Sequence, residues 1–139
     1  MDYRRTPNRV IVRLDPGDEV VATLKAICQK EDIRLGTIQA IGAVNEVQIG
    51  LFQTATKQYH SNTYRGDFEI CSLMGTVSTM AGETYLHLHI SIGDIENNVR
   101  GGHLSAATVS ATGEAVIQIL DGEVDREFSE TIGLNIFKF

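Results

Sequence analysis

The 139-residue sequence contains no tryptophan, two prolines and two cysteines. With so little proline, few backbone N–H groups are lost to strand or helix hydrogen bonding. Cys28 and Cys71 stand far apart and form no C-x-x-C pair, which excludes a zinc ribbon and a disulfide framework. Both are expected to be free thiols buried in the core. No apolar run approaches the roughly 20 residues that cross a bilayer, so no transmembrane helix and no membrane association are expected. The opening "MDYRRTPNRV" has early positive charge but no apolar segment behind it, unlike a secretory signal, and a cytoplasmic location is the expectation.

Positive charge is also in short supply. Twelve Lys and Arg against eighteen Asp and Glu give a formal charge of −6, which opposes nonspecific attraction to polyphosphate. The densest basic group is Arg4, Arg5, Arg9 and Arg13, and its last two members belong to an alternating strand pattern, so a solvated face accounts for it. G-x-S-x-G, P-loop and G-x-G-x-x-G motifs are absent, which removes the commonest nucleophile-elbow and phosphate-cradle chemistries.

What is present is the composition of a globular protein, 42% hydrophobic and 22% charged. The length suits one domain spanning residues 1–139, with no linker, repeat or low-complexity segment to divide it. "RVIVRL" (9–14) alternates as a half-buried strand does. In the following "DPGDEVVATLKAICQKED", Asp15 suits an N-cap, Pro16 the first helical position and Asp18 the positive end of the dipole. Val20, Val21, Leu24, Ile27 and Cys28 then make one apolar helical face. Beyond Gly36 come short β-rich runs: "TIQAIG", "NEVQIGLF", "KQYHSNTY", "FEICSLMGTVST", "TYLHLHISIG", "AVIQIL" and "TIGLNIFKF". Their succession predicts an α+β fold, with the N-terminal helix packed across a mainly antiparallel, curved sheet. The apolar end, with Ile136, Phe137 and Phe139, suits either a terminal strand in the chain's own core or a contact between subunits.

Three of the four histidines fall within "YLHLHISIGDIENNVRGGHL" (85–104). If "TYLHLHISIG" is a strand, His87 and His89 share one face while Leu86, Leu88 and Ile90 take the other. Neighbouring imidazoles on a strand face can bind one divalent ion. His103 follows a segment rich in turn formers, and Gly101 and Gly102 would allow a close backbone approach that brings it to the same point. Three histidines leave a coordination position open, as in catalytic zinc sites, and neutral imidazole suits iron, nickel, copper or cobalt equally. A polar strand face and a hydrogen-bonded loop histidine would give the same spacing without a metal. His60 reads as a surface residue.

Among nearby carboxylates, alternation sets Glu69 in "GDFEICSL" apart from Phe68 and Ile70. In a cleft, burial would raise its pKa toward acid–base work, and Glu69 is the candidate catalytic residue; on an open strand it would be a solvated carboxylate. Asp94 and Glu96 read as turn residues.

The pieces "IQAIGAVNEVQIGLF", "GDFEICSLMGTVS", "HLHISIGD" and "GGHLSAATVSATGEAVIQIL", in that order and over nearly the whole chain, resemble the plant-and-prokaryote-conserved (PPC) domain family. Its bacterial and archaeal members are commonly described as candidate DNA-binding proteins. The resemblance implies an α+β domain assembled as a homotrimer, with His87, His89 and His103 binding a divalent metal, zinc by preference. A small-molecule ligand at the open position follows as an expectation. In plant relatives an AT-hook with an Arg-Gly-Arg-Pro core precedes the domain, and "DYRRTPNRV" has no such core. With the acidic balance, this argues against direct DNA binding. A DNA-associated or protein-recruiting regulatory module is one alternative. A metal-dependent hydrolase or lyase with Glu69 handling protons is another.

Overall fold

The computed structural model describes residues 1–139. In chain order the elements are β1 (Asp2–Thr6), β2 (Arg9–Leu14), α1 (Val20–Lys30), β3 (Gly36–Gln53), β4 (Gln58–Met80), β5 (Glu83–Gly93), β6 (Val99–Ile119), β7 (Asp125–Ser129) and β8 (Leu134–Lys138). The main sheet is antiparallel and ordered β1-β2-β6-β3-β4-β5. β5 also pairs with the first part of β6, so β3, β4, β5 and β6 close into a ring. The expected curved sheet with one packed helix is therefore present, and the helix is short. No helix is long and apolar enough to cross a membrane.

Length is what the sequence pattern underestimates. "TIQAIG" and "NEVQIGLF" are one 18-residue strand, and "KQYHSNTY" and "FEICSLMGTVST" are one of 23 residues. Register shifts between Ala40 and Gly42, between Val44 and Glu46, and between Ile70 and Ser72 bend these strands without ending them. Such bulges add local twist, which is how long strands curl far enough to close. β1, where the sequence suggested only a solvated basic face, is an edge strand paired to β2.

The core lies on the concave side. Val10, Val12 and Leu14 of β2 point into it while Arg9, Ile11 and Arg13 point out, as the alternation predicted. Leu88, Ile90 and Ile92 of β5 and Leu104, Val109 and Ile117 of β6 meet the buried face of α1, made of Val20, Leu24, Ile27 and Cys28. The helix begins later than expected. Asp15 to Asp18 form a turn, with Asp18 N–H donating to the Asp15 carbonyl, and the N-cap is Glu19. Its carboxylate accepts from the Val21 and Ala22 N–H groups and also from Ala107 N–H of β6 at 2.9 Å. Glu19 thus caps the helix and tethers it to a strand, while the Asp15 carboxylate pairs with Arg13 and the N-terminal amine.

The two cysteines differ. Cys28 is buried in α1, and burial pushes its thiol up to about 12, an inert side chain. Cys71 sits at the β4 bulge and is exposed, contrary to expectation: it follows Glu69 onto the outer face while Ile70 is buried, and the bulge changes the alternation only beyond it, where Leu73 turns inward. The C-terminal residues form a separate two-stranded hairpin, β7-β8, rather than a strand of the main sheet.

Candidate metal centre

Alternation along β5 does what the sequence requires: Leu88 is buried, while His87 and His89 stand on the outer face. His103 is the surprise. It lies in strand β6, directly opposite His89, and not in a loop. The glycines before it, which resemble turn formers, are strand residues instead. A Cβ on Gly102 would lie 2.6 Å from the Gly50 carbonyl oxygen of β3, and one on Gly101 would lie 2.7 Å from that of Ile90 of β5. Side chains there would prise β6 from both neighbours, so the predicted close approach is real although the predicted loop is not.

The three imidazoles face one point. Ring centroids are 5.2 Å apart for His87 and His89, 5.2 Å for His87 and His103, and 5.8 Å for His89 and His103. One ligand nitrogen from each lies within 4.8 Å of the others. Zn–N bonds near 2.1 Å in a tetrahedron need nitrogens roughly 3.4 Å apart, a gap that small χ rotations close. Three neutral nitrogens and no carboxylate are a borderline-soft donor set, suited to zinc and to late first-row divalent ions rather than to magnesium or calcium.

The surroundings of two of the three, His87 and His103, oppose protonation. His87 retains an open edge, yet the strands around it lower its pKa to about 4, chiefly by desolvation, then through the charges of His103, His89 and Arg126. Desolvation, followed by His89, lowers His103 as well. Neutral imidazole is the form that ligates a metal.

Other side chains complete the setting, and nothing local in the sequence marked them. Tyr59 of β4 crosses over Gly50, whose missing side chain makes room for the phenol ring. Its ring meets His103 edge-on at 6.0 Å and its hydroxyl is 2.9 Å from Ser105 Oγ. Thr76 and Met74 of β4 pair with His87 and His89, and with Thr37 and Gln39 of β3 they line an open depression of about 400 Å³. Arg126 of β7 is buried, its guanidinium 4.7 Å from the Tyr85 ring centroid and 4.2 Å from that of Phe137.

The remaining sequence candidates lie elsewhere. Glu69 is exposed and opposite Gly93, four residues and about 13 Å along β5 from His89, so of the two settings open to it, a cleft and an open strand, it has the open strand. Asp94 accepts from the Glu96 and Asn98 N–H groups and from Arg100, the turn role foreseen for it. His60 is exposed, with Nε2 3.0 Å from Gln53 Oε1.

A closed antiparallel sheet presenting three convergent histidines defines the class. The chain belongs to the Plants and Prokaryotes Conserved (PCC) domain family, whose sequence profile matches residues 1–121. It is similar to the crystal structure of a candidate DNA-binding protein from Bacteroides thetaiotaomicron, at 35% identity over 99% of this chain and 96% of that one, with a TM-score of 0.96. A plant- and prokaryote-conserved protein from Pyrococcus horikoshii is similar at 29% identity over 99% and 94%, with a TM-score of 0.86. A protein from Archaeoglobus fulgidus described as metal-containing is similar at 28% identity over 100% and 99%, with a TM-score of 0.88. No protein with a curated description matches the chain.

Proposed function

We propose that this PCC-domain protein is a cytoplasmic homotrimer in which His87, His89 and His103 of each chain hold one divalent ion, zinc by preference, and leave a coordination position for a small ligand. The observation that carries the reading is the convergence of three ligand nitrogens within 4.8 Å, from two strands that pair His89 with His103. The metal-containing description of the Archaeoglobus fulgidus relative supports it. Bound zinc would act as a Lewis acid toward a ligand oxygen. The chain's own part is to keep His87 and His103 neutral and to hold the third imidazole in register.

A second reading, a DNA-associated or protein-recruiting module, draws on the description of the Bacteroides thetaiotaomicron relative as a candidate DNA-binding protein. The charges here favour its protein-recruiting form. Arg5 pairs with Glu31 and Arg13 with Asp15, which leaves Arg4 and Arg9 of the N-terminal group against a net charge of −6. A hydrolase or lyase reading through Glu69 loses its motivation with the exposure of that residue.

The test is elemental analysis of untagged protein at known concentration, for wild type and for His87→Ala, His89→Ala and His103→Ala. About one metal per chain is expected in wild type, with most of it lost in each variant. Wild-type protein that takes up none when zinc is supplied would overturn the metal reading.

A further inference from the structure

Arg126 poses a problem of charge. It is 7% exposed, and its protein acceptors are all neutral: Nε donates to Ser78 Oγ at 2.8 Å, Nη1 to the Asn135 carbonyl at 3.0 Å and Nη2 to Thr76 Oγ1 at 3.5 Å. The neighbouring Asp125 does not supply the missing anion: its Oδ1 accepts from Thr79 Oγ1, and Arg126 donates only to Ser78, Asn135 and Thr76. Stacking against Tyr85 and Phe137 offsets part of the desolvation cost. A buried cation without a carboxylate is nevertheless costly.

Its position supplies the reason. Nη2, the nitrogen with the longest and weakest contact, is directed to Thr76, which is the strand partner of His87 and lines the depression beside the histidines. The hairpin that carries Arg126 is fastened at both ends. Near its base, Thr79 N–H donates to the Val124 carbonyl at 3.0 Å. Near its tip, Lys57 Nζ donates to the Glu130 carbonyl at 2.7 Å, two residues before Tyr59, whose ring meets His103. The hairpin thus bridges the His87 side and the His103 side of the cluster. Residues 125–138 also lie beyond the part of the chain that the family profile matches, so Arg126 is not among the features that define the family.

We propose that Arg126 is the anion-recognising residue of the three-histidine site, and that the small ligand admitted there is a carboxylate, one oxygen toward the metal and the other toward Nη2. This inference rests on the metal reading above. The guanidinium fork matches a carboxylate geometrically, and a charge-assisted bond of this kind is worth roughly ten- to a hundredfold in affinity.

Cobalt(II) substituted into untagged protein gives a visible spectrum that reports both metal binding and a change of ligand. Acetate, and its neutral isostere acetamide, are titrated into wild type, Arg126→Lys and Arg126→Met. Acetate should bind wild type in clear preference to acetamide, weaken about ten- to a hundredfold in Arg126→Met with metal content unchanged, and weaken less in Arg126→Lys, which keeps the charge but not the fork. In the zinc-loaded wild type, the side-chain nitrogen resonances of Arg126 should shift with acetate and not with acetamide, a readout that needs no variant. If cobalt and zinc both fail to bind, the metal reading falls. If metal binds but wild type does not prefer acetate, or the Arg126 resonances stay fixed as acetate saturates, the metal reading stands and Arg126 is only a clamp for the hairpin.

Discussion

At the scale of single residues, His87 links the site to stability. Its folded pKa is about 4, against an ordinary value of 6.5, chiefly because of desolvation, with further coulombic opposition from His103, His89 and Arg126 around it. Between those values the unfolded chain takes up a proton that the folded chain refuses. Stability is therefore fully present above about pH 6.5 and is lost as pH falls toward 4. The metal-free protein should show a falling urea midpoint across this window, and His87→Gln, which cannot titrate, should show a shallower fall. The difference between the two profiles isolates His87 from the carboxylates, which titrate in both. Parallel profiles would mean that His87 is not held neutral. At this scale the sequence was most informative, because strand alternation is local: "HLHI" alone places two imidazoles on one face and two apolar residues on the other. Glu69 follows the same alternation onto an outer face, but its distance from the histidines depends on strand pairing, which no local pattern contains.

At the scale of elements, the helix was legible and its attachment was not. The three- and four-residue spacing of Val20, Leu24, Ile27 and Cys28 marked the buried face, but Asp15, Pro16 and Asp18 imitate a helix start while forming a turn of their own. The Glu19 carboxylate serves two elements at once, the first turn of α1 and the N–H of Ala107 in β6. Glu19→Ala removes the cap and leaves a part-buried strand N–H without its acceptor. The expected loss is about 2–3 kcal/mol, measurable as a lowered urea midpoint with an unchanged slope. Glu19→Gln keeps acceptor oxygen and should lose less. An unchanged midpoint in the alanine variant would mean that water replaces both bonds at no cost. β6 taught the opposite lesson. Its glycines resemble a turn in one dimension, and only the neighbouring carbonyls of Gly50 and Ile90 reveal them as spacers in a crowded strand.

At the scale of the whole molecule, the outer face of the sheet carries a strip of exposed apolar side chains. Strand register sets Ile11 beside Val116, Val116 beside Gln39, and Gln39 beside Met74. Ile41 and Met74 are each 57% exposed, and together these side chains border a shallow trough of about 1010 Å³. Such a strip is where a subunit contact would fall in the proposed trimer. Arg13 and Glu114, paired across β2 and β6 within the trough, give it charges of both signs. In the proposed trimer this face would meet a neighbouring chain, and with Arg13 already held by Asp15 a carboxylate placed in it would be buried at a cost of several kcal/mol in each contact. Wild type should therefore sediment at the trimer mass, and Ile41→Glu should sediment as a monomer at micromolar concentration. Ile41 is chosen because it lies outside the depression beside the histidines, whereas Met74 borders both surfaces. The three imidazoles all come from one chain, so the monomeric variant should still carry one metal per chain. If Ile41→Glu remained a trimer, subunits would have to meet elsewhere. If it became a monomer and lost its metal, assembly would be what holds the imidazoles in register, and the site would belong to the trimer rather than to the chain.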